Sequence, residues 1–316
     1  MKQQVGQTLD VEALSTPAAG LGEGPVWDAA TQTLLWVDIP GGLLHRTNPD
    51  TGATTTVEVG PYPAFIYPAG PGRVLISHTW DLSLVEEDTG QKTVLMSLPG
   101  DENTRLNDAK IDGEGRVVIG AMVYPWKQGG PCNVYRVDLS AGSWEVLASG
   151  MALSNGLDWN AAGTLAYFVD TPTRRIDVFD VAADGAWSGQ RPFITLEDGA
   201  GNPDGMTLDA AGNIWVALFD GGAVRQYSPS GDILAHIQLP VPHITSLCFG
   251  GPELADIFVT TASNRLTDAN RHLFPDAGKV FRIRGAGVGH AVPAVNLPAV
   301  HAPVTAQAPR MITGAP

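Results

Sequence analysis

The sequence has little cysteine and no long apolar run. Its 316 residues include two cysteines, Cys132 and Cys248, which lie far apart and show no metal-type spacing. We therefore expect reduced thiols that pack in the interior rather than a disulfide. No apolar run approaches the roughly 18–20 residues that a membrane span needs. Residues 1–12 are polar and contain no apolar segment followed by a cleavage site, so we predict a cytoplasmic protein without a secretory signal.

Basic residues are also scarce. The chain has 19 Lys and Arg against 33 Asp and Glu, which gives a formal net charge of −14. Binding to a phosphate backbone depends on clustered basic side chains, so this composition argues against a nucleic-acid partner. It is compatible with a small neutral substrate and with a site for a cation.

Glycine and proline are plentiful, with 37 and 24 residues, as expected for many turns between short strands. One pattern occurs twice, at residues 154–163 and 203–212. Each copy places an oxygen-bearing side chain (Asn155 or Asp204) before a glycine, followed by an alternating apolar run and an Asn/Asp-Ala-Ala-Gly turn. A second apolar run follows each turn, which predicts a β-hairpin. The copies are 49 residues apart, a spacing typical of a propeller blade.

Six such units can be traced along the chain. The residues entering their first strands are spaced by 42, 42, 48, 49 and 41 positions and are Glu23, Phe65, Asn107, Asn155, Asp204 and Thr245. With about four strands per unit, they predict an all-β fold, a six-bladed β-propeller of antiparallel blades around a central channel. A helical solenoid would need apolar residues that recur with a period of 3.6 over about 10 residues or more, and the sequence shows no persuasive case. We expect residues 21–290 to form this single domain and residues 1–20 to be a lead-in, which could include an outer strand that closes the ring. The Ala/Pro-rich residues 291–316 are expected to be an irregular tail.

The residues that enter the first strands should meet at one place. In a propeller, the innermost strand of every blade starts at the same end of the channel. Glu23 and Asp204 would bring carboxylates there, and Asn107 and Asn155 would bring amide oxygens, a cluster that calls for a compensating positive charge. Such oxygen ligands suit Ca²⁺, Mg²⁺ or Mn²⁺. An ordinary turn residue is the alternative interpretation of any one Asn or Asp before glycine, while the repetition in register favours a metal site.

Taken together, these motifs resemble the gluconolactonase family, which includes senescence marker protein (regucalcin) and bacterial aldonolactonases. The matching stretches are residues 21–25, 105–108, 154–156, 203–205, 249–252, 260–262 and 276–281. The resemblance implies a six-bladed propeller that binds one divalent metal and hydrolyses sugar lactones, with Glu23, Asn155 and Asp204 as metal ligands. It further implies that Arg105 and Asn107 contact the lactone and that Asp204 is the candidate general base. Open sites of this kind in the family also accept Zn²⁺ or Fe²⁺.

One departure from the family concerns the choice of substrate. Some animal members carry a carboxylate just after the strand that here ends at Met122, where it contacts sugar hydroxyls. This chain has Val123 and Tyr124 at that place, and an insertion over residues 124–131. The lactone and its ring size, the physiological metal and the oligomeric state therefore stay open.

The leading hypothesis is a metal-dependent hydrolase that opens sugar lactones to aldonic acids. The alternatives are a metal-dependent phosphotriesterase or broad esterase on the same propeller, and a non-catalytic calcium-binding propeller. Arg105 favours catalysis, because a plain calcium buffer needs no cation that orients a substrate. Three histidines are interpreted as packing or surface residues: His78, His243 and His272. Three aromatic residues in predicted loops could stack on a sugar ring: Trp80, Tyr124 and Trp126.

Overall fold

The computed structural model describes residues 9–124 and 131–299. In this part of the chain, 24 short strands form six separate four-stranded antiparallel sheets. Its helices are two single 3-10 turns, Thr171–Thr173 and Arg271–Leu273. The predicted all-β, six-bladed propeller is therefore confirmed. Neither of these helices is long and apolar enough to cross a membrane.

Five of the sheets follow chain order, each strand pairing with the next one along the sequence. The strands of the first three sheets are β2 (Gly22–Asp28), β3 (Thr33–Asp38), β4 (Leu43–Thr47) and β5 (Thr54–Glu58); β6 (Pro63–Pro68), β7 (Arg73–His78), β8 (Asp81–Glu86) and β9 (Lys92–Ser97); and β10 (Thr104–Ile111), β11 (Val117–Val123), β12 (Cys132–Asp138) and β13 (Ser143–Met151). Those of the fourth and fifth sheets are β14 (Ser154–Trp159), β15 (Leu165–Asp170), β16 (Arg175–Val181) and β17 (Trp187–Thr195); and β18 (Asn202–Leu208), β19 (Ile214–Phe219), β20 (Ala223–Tyr227) and β21 (Ile233–Gln238).

The sixth sheet is built from both ends of the chain. Its strands are, from the inside outwards, β22 (Ile244–Gly250), β23 (Asp256–Thr261), β24 (Phe281–Ile283) and β1 (Val11–Ala13). Val11 pairs with Ile283 and Ala13 with Phe281 in antiparallel register. The lead-in thus supplies the outer strand anticipated within residues 1–20, and this pairing closes the ring. The limits of the domain, residues 21–290, stay a prediction.

The core lies within and between the sheets. Trp36 is fully buried, its indole Nε1 donates to Thr47 Oγ1 at 3.0 Å, and its ring stacks on His45 with centroids 4.1 Å apart. Trp27 and Trp215 are also buried, whereas Trp159 is half-buried. Outermost strands such as β5 leave most side chains exposed, because one edge of each sheet faces water. Both cysteines are free, in agreement with the expectation of reduced thiols.

Every innermost strand contains a β-bulge near its start. Register breaks between Ser154 and Leu157 in β14, and the other five innermost strands break at the corresponding place. A bulge re-aims a side chain, and such bulges are common beside active sites. The pairing also corrects one sequence expectation. In β6, Pro63 pairs with His78 as Ser154 pairs with Asp170, so the position equivalent to Asn155 is Ala64 and not Phe65.

After β24 the chain crosses the face opposite the starts of the innermost strands. Val288 O accepts from Ala210 N at 2.7 Å, Pro293 O from Tyr67 Oη at 2.7 Å, and Asn296 N donates to Gly115 O at 2.8 Å. These contacts tie the segment to the fifth, second and third sheets. Residues 291–299 have no regular secondary structure, as predicted for the tail, and pack on the propeller. The rest of the tail lies outside the described residues.

Candidate active site

The bulged ends of the innermost strands surround the mouth of the central channel. A cavity of about 440 Å³ opens there, and Glu23, Arg105, Asn107, Asn155 and Asp204 all line it. The five residues singled out in the sequence therefore share one cavity, although they come from four different sheets. Thr245 holds the equivalent place in the sixth sheet, but its Oγ1 donates to Gly22 O at 2.6 Å and it does not line the cavity. It serves to join the first and sixth sheets.

The glycines that follow the site residues allow the innermost strands to approach one another closely. A Cβ atom on Gly156 would lie 2.4 Å from Met206 N, and one on Gly205 would lie 2.1 Å from Ser246 Oγ. Both glycines are therefore required by packing between neighbouring sheets. Asn155 and Asp204 lie inside β14 and β18, so the alternative interpretation as ordinary turn residues is wrong.

A line of hydrogen bonds orients the amide side chains around the mouth. Arg105 Nη1 donates to Asn107 Oδ1 at 2.8 Å, and Asn107 Nδ2 donates to Asn155 Oδ1 at 3.0 Å. Asn155 Nδ2 in turn donates to Thr171 Oγ1 at 2.7 Å, and that hydroxyl donates to Pro203 O at 2.9 Å. The line joins the third, fourth and fifth sheets. It also fixes which amide atoms are oxygens, and a carbonyl oxygen such as Asn155 Oδ1 keeps a second lone pair for a further partner.

Three carboxyl groups interact at the mouth of the channel: Glu23 and Asp204, which line the cavity, and Asp108 beside them. Burial, reinforced by the negative charge of Asp108, raises the pKa of Glu23 to about 8. Burial raises the pKa of Asp204 well above its usual value, and the charges of Glu23 and Asp108 add to the effect. Burial likewise raises the pKa of Asp108 to about 6, although nearby Lys110 opposes the shift. Among the described residues, the charges of Arg105 on Glu23 and of Lys110 on Asp108 oppose these shifts without cancelling them, so the three carboxyl groups are not held ionised together.

Arg105 is a buried cation with a vacant donor. The residue is 4% exposed and forms no ion pair among the described residues, and its Nε has no hydrogen-bond partner. Nη1 is used by Leu106 O and Asn107 Oδ1, each at 2.8 Å. Burial lowers the pKa of Arg105 to about 10, a value at which the guanidinium remains charged at neutral pH. A buried polar atom without a partner costs stability, so an acceptor that reached this donor would stabilise the site.

A second set of polar contacts, which we call the floor of the site, lies three residues further along three of the innermost strands. Lys110, Asp158 and Thr207 follow Asn107, Asn155 and Asp204 at this same offset. Lys110 Nζ lies 2.6 Å from Asp158 Oδ2 and 3.0 Å from Thr207 Oγ1, and Thr207 Oγ1 donates to Asp158 Oδ2 at 3.2 Å. The same three sheets are thus joined at two levels.

Replacing Lys110 by methionine is expected to lower the free energy of unfolding by about 1–3 kcal/mol, because Asp158 then keeps a partly buried charge without its cation. Urea denaturation measures the change. Lys110→Met combined with Asp158→Asn should be less destabilised than the single variant, since no uncompensated charge remains. Lys92→Met, at an exposed lysine, is the control. A loss at Lys110 no larger than that at Lys92 would show that the floor does not hold the sheets together.

The remaining candidates from the sequence have other surroundings. Trp80 Nε1 donates to Thr104 O at 2.9 Å and its ring packs edge-on to Tyr135, so it supports the loop before β10. His78 and His243 are buried, and His272 is exposed; none of the three lines the cavity. Trp126 lies outside the described residues.

Within the described ranges, no three His, Cys, Asp or Glu side chains gather in a way suited to a metal ion. The set formed by Glu23, Asn155 and Asp204 contains only two side chains of these types, because its third member is an amide. Its role as a ligand set is therefore a proposal.

Comparison with known proteins places the chain in a family. Residues 21–263 match the SMP-30/Gluconolactonase/LRE-like region. The protein belongs to this family. The resemblance that the sequence motifs indicated is therefore confirmed.

Named relatives match over most of their length. The chain is 30% identical to regucalcin of Xenopus laevis, covering 90% of this chain and 98% of the relative. It is 33% identical to the pentonolactonase XacC of Haloferax volcanii, covering 85% and 92%. Among solved structures, a calcium-binding protein, regucalcin, from Agrobacterium tumefaciens superposes with a TM-score of 0.83 at 28% identity, covering 89% of this chain and 95% of that one.

Proposed function

We propose that this protein is a metal-dependent hydrolase that opens sugar lactones to the corresponding aldonic acids. The lactonase class follows from membership of the family. The observation that carries the finer proposal is the pairing, in one cavity, of the interacting carboxyl groups of Glu23 and Asp204 with the buried cation Arg105. The carboxyl groups would be stabilised by a cation, and Arg105 would be stabilised by an organic ligand that carries hydrogen-bond acceptors.

The charges around the site fit a divalent cation. Lys110 and Asp158 neutralise each other, which leaves the carboxylates Glu23, Asp108 and Asp204 against Arg105, an excess of two negative charges when all are ionised. We assign Glu23, Asn155 and Asp204 as the residues that would hold the ion, because each lines the cavity and carries a side-chain oxygen. Ca²⁺, Mg²⁺ and Mn²⁺ are the best matches to this oxygen set, and Zn²⁺ or Fe(II) are further candidates. When bound, the ion would supply Lewis acidity to the lactone carbonyl.

The chain's own residues would bind the lactone and move a proton. The guanidinium of Arg105, which lines the cavity, would donate to a ring or exocyclic hydroxyl, and Asn107 lies beside it to orient the ligand. Asp204 is the candidate general base that accepts a proton from the attacking water. The water oxygen bonds to the carbonyl carbon, the bond between that carbon and the ring oxygen breaks, and the ring oxygen leaves as a hydroxyl after taking the proton that Asp204 accepted. The carboxylic acid so formed then ionises and releases a proton to solvent. The product is the open-chain aldonate.

Assays with and without a chelator test the proposal. A pH-indicator assay on D-glucono-1,5-lactone, a pentono-1,4-lactone and a phosphotriester should show turnover of a lactone that EDTA abolishes and a divalent salt restores. Turnover of the phosphotriester alone would favour the broad-esterase alternative. Absence of chelator-sensitive turnover on every substrate would favour a non-catalytic calcium-binding propeller. Lactone turnover unaffected by EDTA would support the lactonase activity and contradict its dependence on a metal.

A further inference from the structure

The ring of Tyr124 lies over the guanidinium of Arg105 at the mouth of the channel. Arg105 Cζ is 5.4 Å from the centroid of the ring, within cation–π range, and both residues line the cavity. The strand register explains the contact. Arg105 on β10 pairs with Met122 on β11, so Tyr124, two residues further on, is the diagonal neighbour of Arg105 across the two strands. Long side chains at diagonal positions are within reach of each other.

A second tyrosine supports the first. The rings of Tyr62 and Tyr124 have centroids 4.9 Å apart and are tilted by 58°. Tyr62 does not line the cavity, packs partly on the hydrophobic core, and holds a left-handed backbone with φ of 53°. Such a conformation is uncommon for a large non-glycine residue, and strain of this kind is concentrated at functional sites. Interaction with the side chain of Tyr62 raises the pKa of Tyr124 above its usual value.

Arg105 and Tyr124 together present two complementary surfaces. The donors of Arg105 that remain for a ligand lie along the edge of the guanidinium, because Nη1 is already occupied and the ring of Tyr124 lies over its face. The half-buried ring of Tyr124 adds an apolar surface beside those donors. One kind of molecule uses both features: a cyclic ligand with hydroxyls that accept from Arg105 and a C–H face that packs on an aromatic ring.

We propose that Tyr124, supported by Tyr62, is a positioning and specificity residue that selects polyhydroxylated lactones. Tyr124 holds Arg105 in the orientation that meets the hydroxyls and packs on the C–H face of the lactone ring. The proposal rests on the proposed lactonase function and goes beyond it, because it names the feature of the substrate that is recognised and the residue that recognises it through Arg105.

The test compares D-glucono-1,5-lactone with δ-valerolactone, which has the same ring without hydroxyls. In Tyr124→Leu, kcat/KM for gluconolactone should fall about three- to tenfold, mostly through KM, since a lost ring contact weakens ground-state binding. The fall for δ-valerolactone should be smaller, because that substrate offers no hydroxyl to Arg105. Tyr124→Phe should retain most of the preference. In an Arg105→Met background, Tyr124→Leu should add little, since the two residues act as a unit.

The control is Tyr167→Leu, whose ring pairs with Phe193 at the same 58° tilt in the fourth sheet, away from the mouth. It should leave the ratio of the two kcat/KM values unchanged. The proposal is overturned if Tyr124→Leu lowers both substrates in parallel, or if its effect is as large with Met at position 105 as in the parent. In either case the wild-type enzyme still hydrolyses lactones and the proposed function stands. A wild-type protein that hydrolyses neither lactone would overturn the proposed function and this inference together.

Discussion

Asp204→Asn is expected to lower lactone turnover by at least about a hundredfold, the loss typical of removing a group that stabilises charge at the reacting centre. Asparagine keeps the shape of the side chain and removes the charge and the candidate base. The fold should be retained. Burial raises the pKa of Asp204, so the ionised carboxylate opposes folding above the usual aspartate pKa, and stability from this group falls as pH rises. The metal-free variant should therefore unfold at a temperature no lower than that of the metal-free wild type near pH 7.

The decisive signature is the combination of three measurements: turnover, the melting temperature of metal-free protein, and the rise in melting temperature when a divalent salt is added. Wild type should show the rise by linkage, and Asp204→Asn should lose most of it. Asp220→Asn is the matched control, because Asp220 lines the same cavity in the left-handed region that asparagine tolerates. Near-normal turnover in Asp204→Asn would defeat the assignment of Asp204 as base and ligand.

Arg105→Met should lower kcat/KM for a polyhydroxylated lactone by about ten- to a hundredfold, the range for losing hydrogen bonds from a charged donor. Two effects combine. The variant loses the vacant Nε donor, and it also loses the hydrogen bond from Nη1 that orients Asn107. Arg105→Lys should rescue little, because an ammonium cannot replace the planar guanidinium beneath Tyr124. Steady-state kinetics on D-glucono-1,5-lactone would measure both variants.

Arg265→Met provides the control for general loss of positive charge at the mouth, since Arg265 lines the cavity but is exposed. Its effect should be much smaller than that of Arg105→Met. Binding of a divalent ion, followed by thermal shift, should survive in both variants. Equal losses of kcat/KM in the two variants would show that Arg105 contributes only its positive charge and no specific hydrogen bond. Full activity in Arg105→Lys would show that the planar geometry of the guanidinium is not required.

The fold was accessible from the sequence because the propeller repeats. The repeat places Asn155 and Asp204 at one offset from their turns, and closure of the ring brings such positions together. Their glycines carried a signal as well, and the structure gives its cause, which is the close approach of neighbouring innermost strands. In the second sheet, the spacing argument selected Phe65 instead of Ala64. The spacing of 42 residues on either side of Phe65 masked true intervals of 41 and 43.

Other parts of the site left weaker signals. Thr171 orients Asn155 but follows the second strand of its sheet rather than the first, so it falls outside the repeat position from which the site was predicted. Asp108 lies in the bulge one position after Asn107, so the repeat position by itself does not select it. Lys110 and Asp158 could have been found, since they lie three residues beyond Asn107 and Asn155. The path of the tail depends on contacts between distant segments and had no local signal.

The central claim is that Glu23, Asn155 and Asp204 hold one divalent ion at the hub of the propeller. Anomalous diffraction from a crystal of the full chain soaked in Mn²⁺ tests it most directly. The account predicts a single strong peak at the mouth of the channel, with an oxygen of each of these side chains within about 2.6 Å of the ion. A peak bound by other residues, or the absence of any peak among these three, would contradict it.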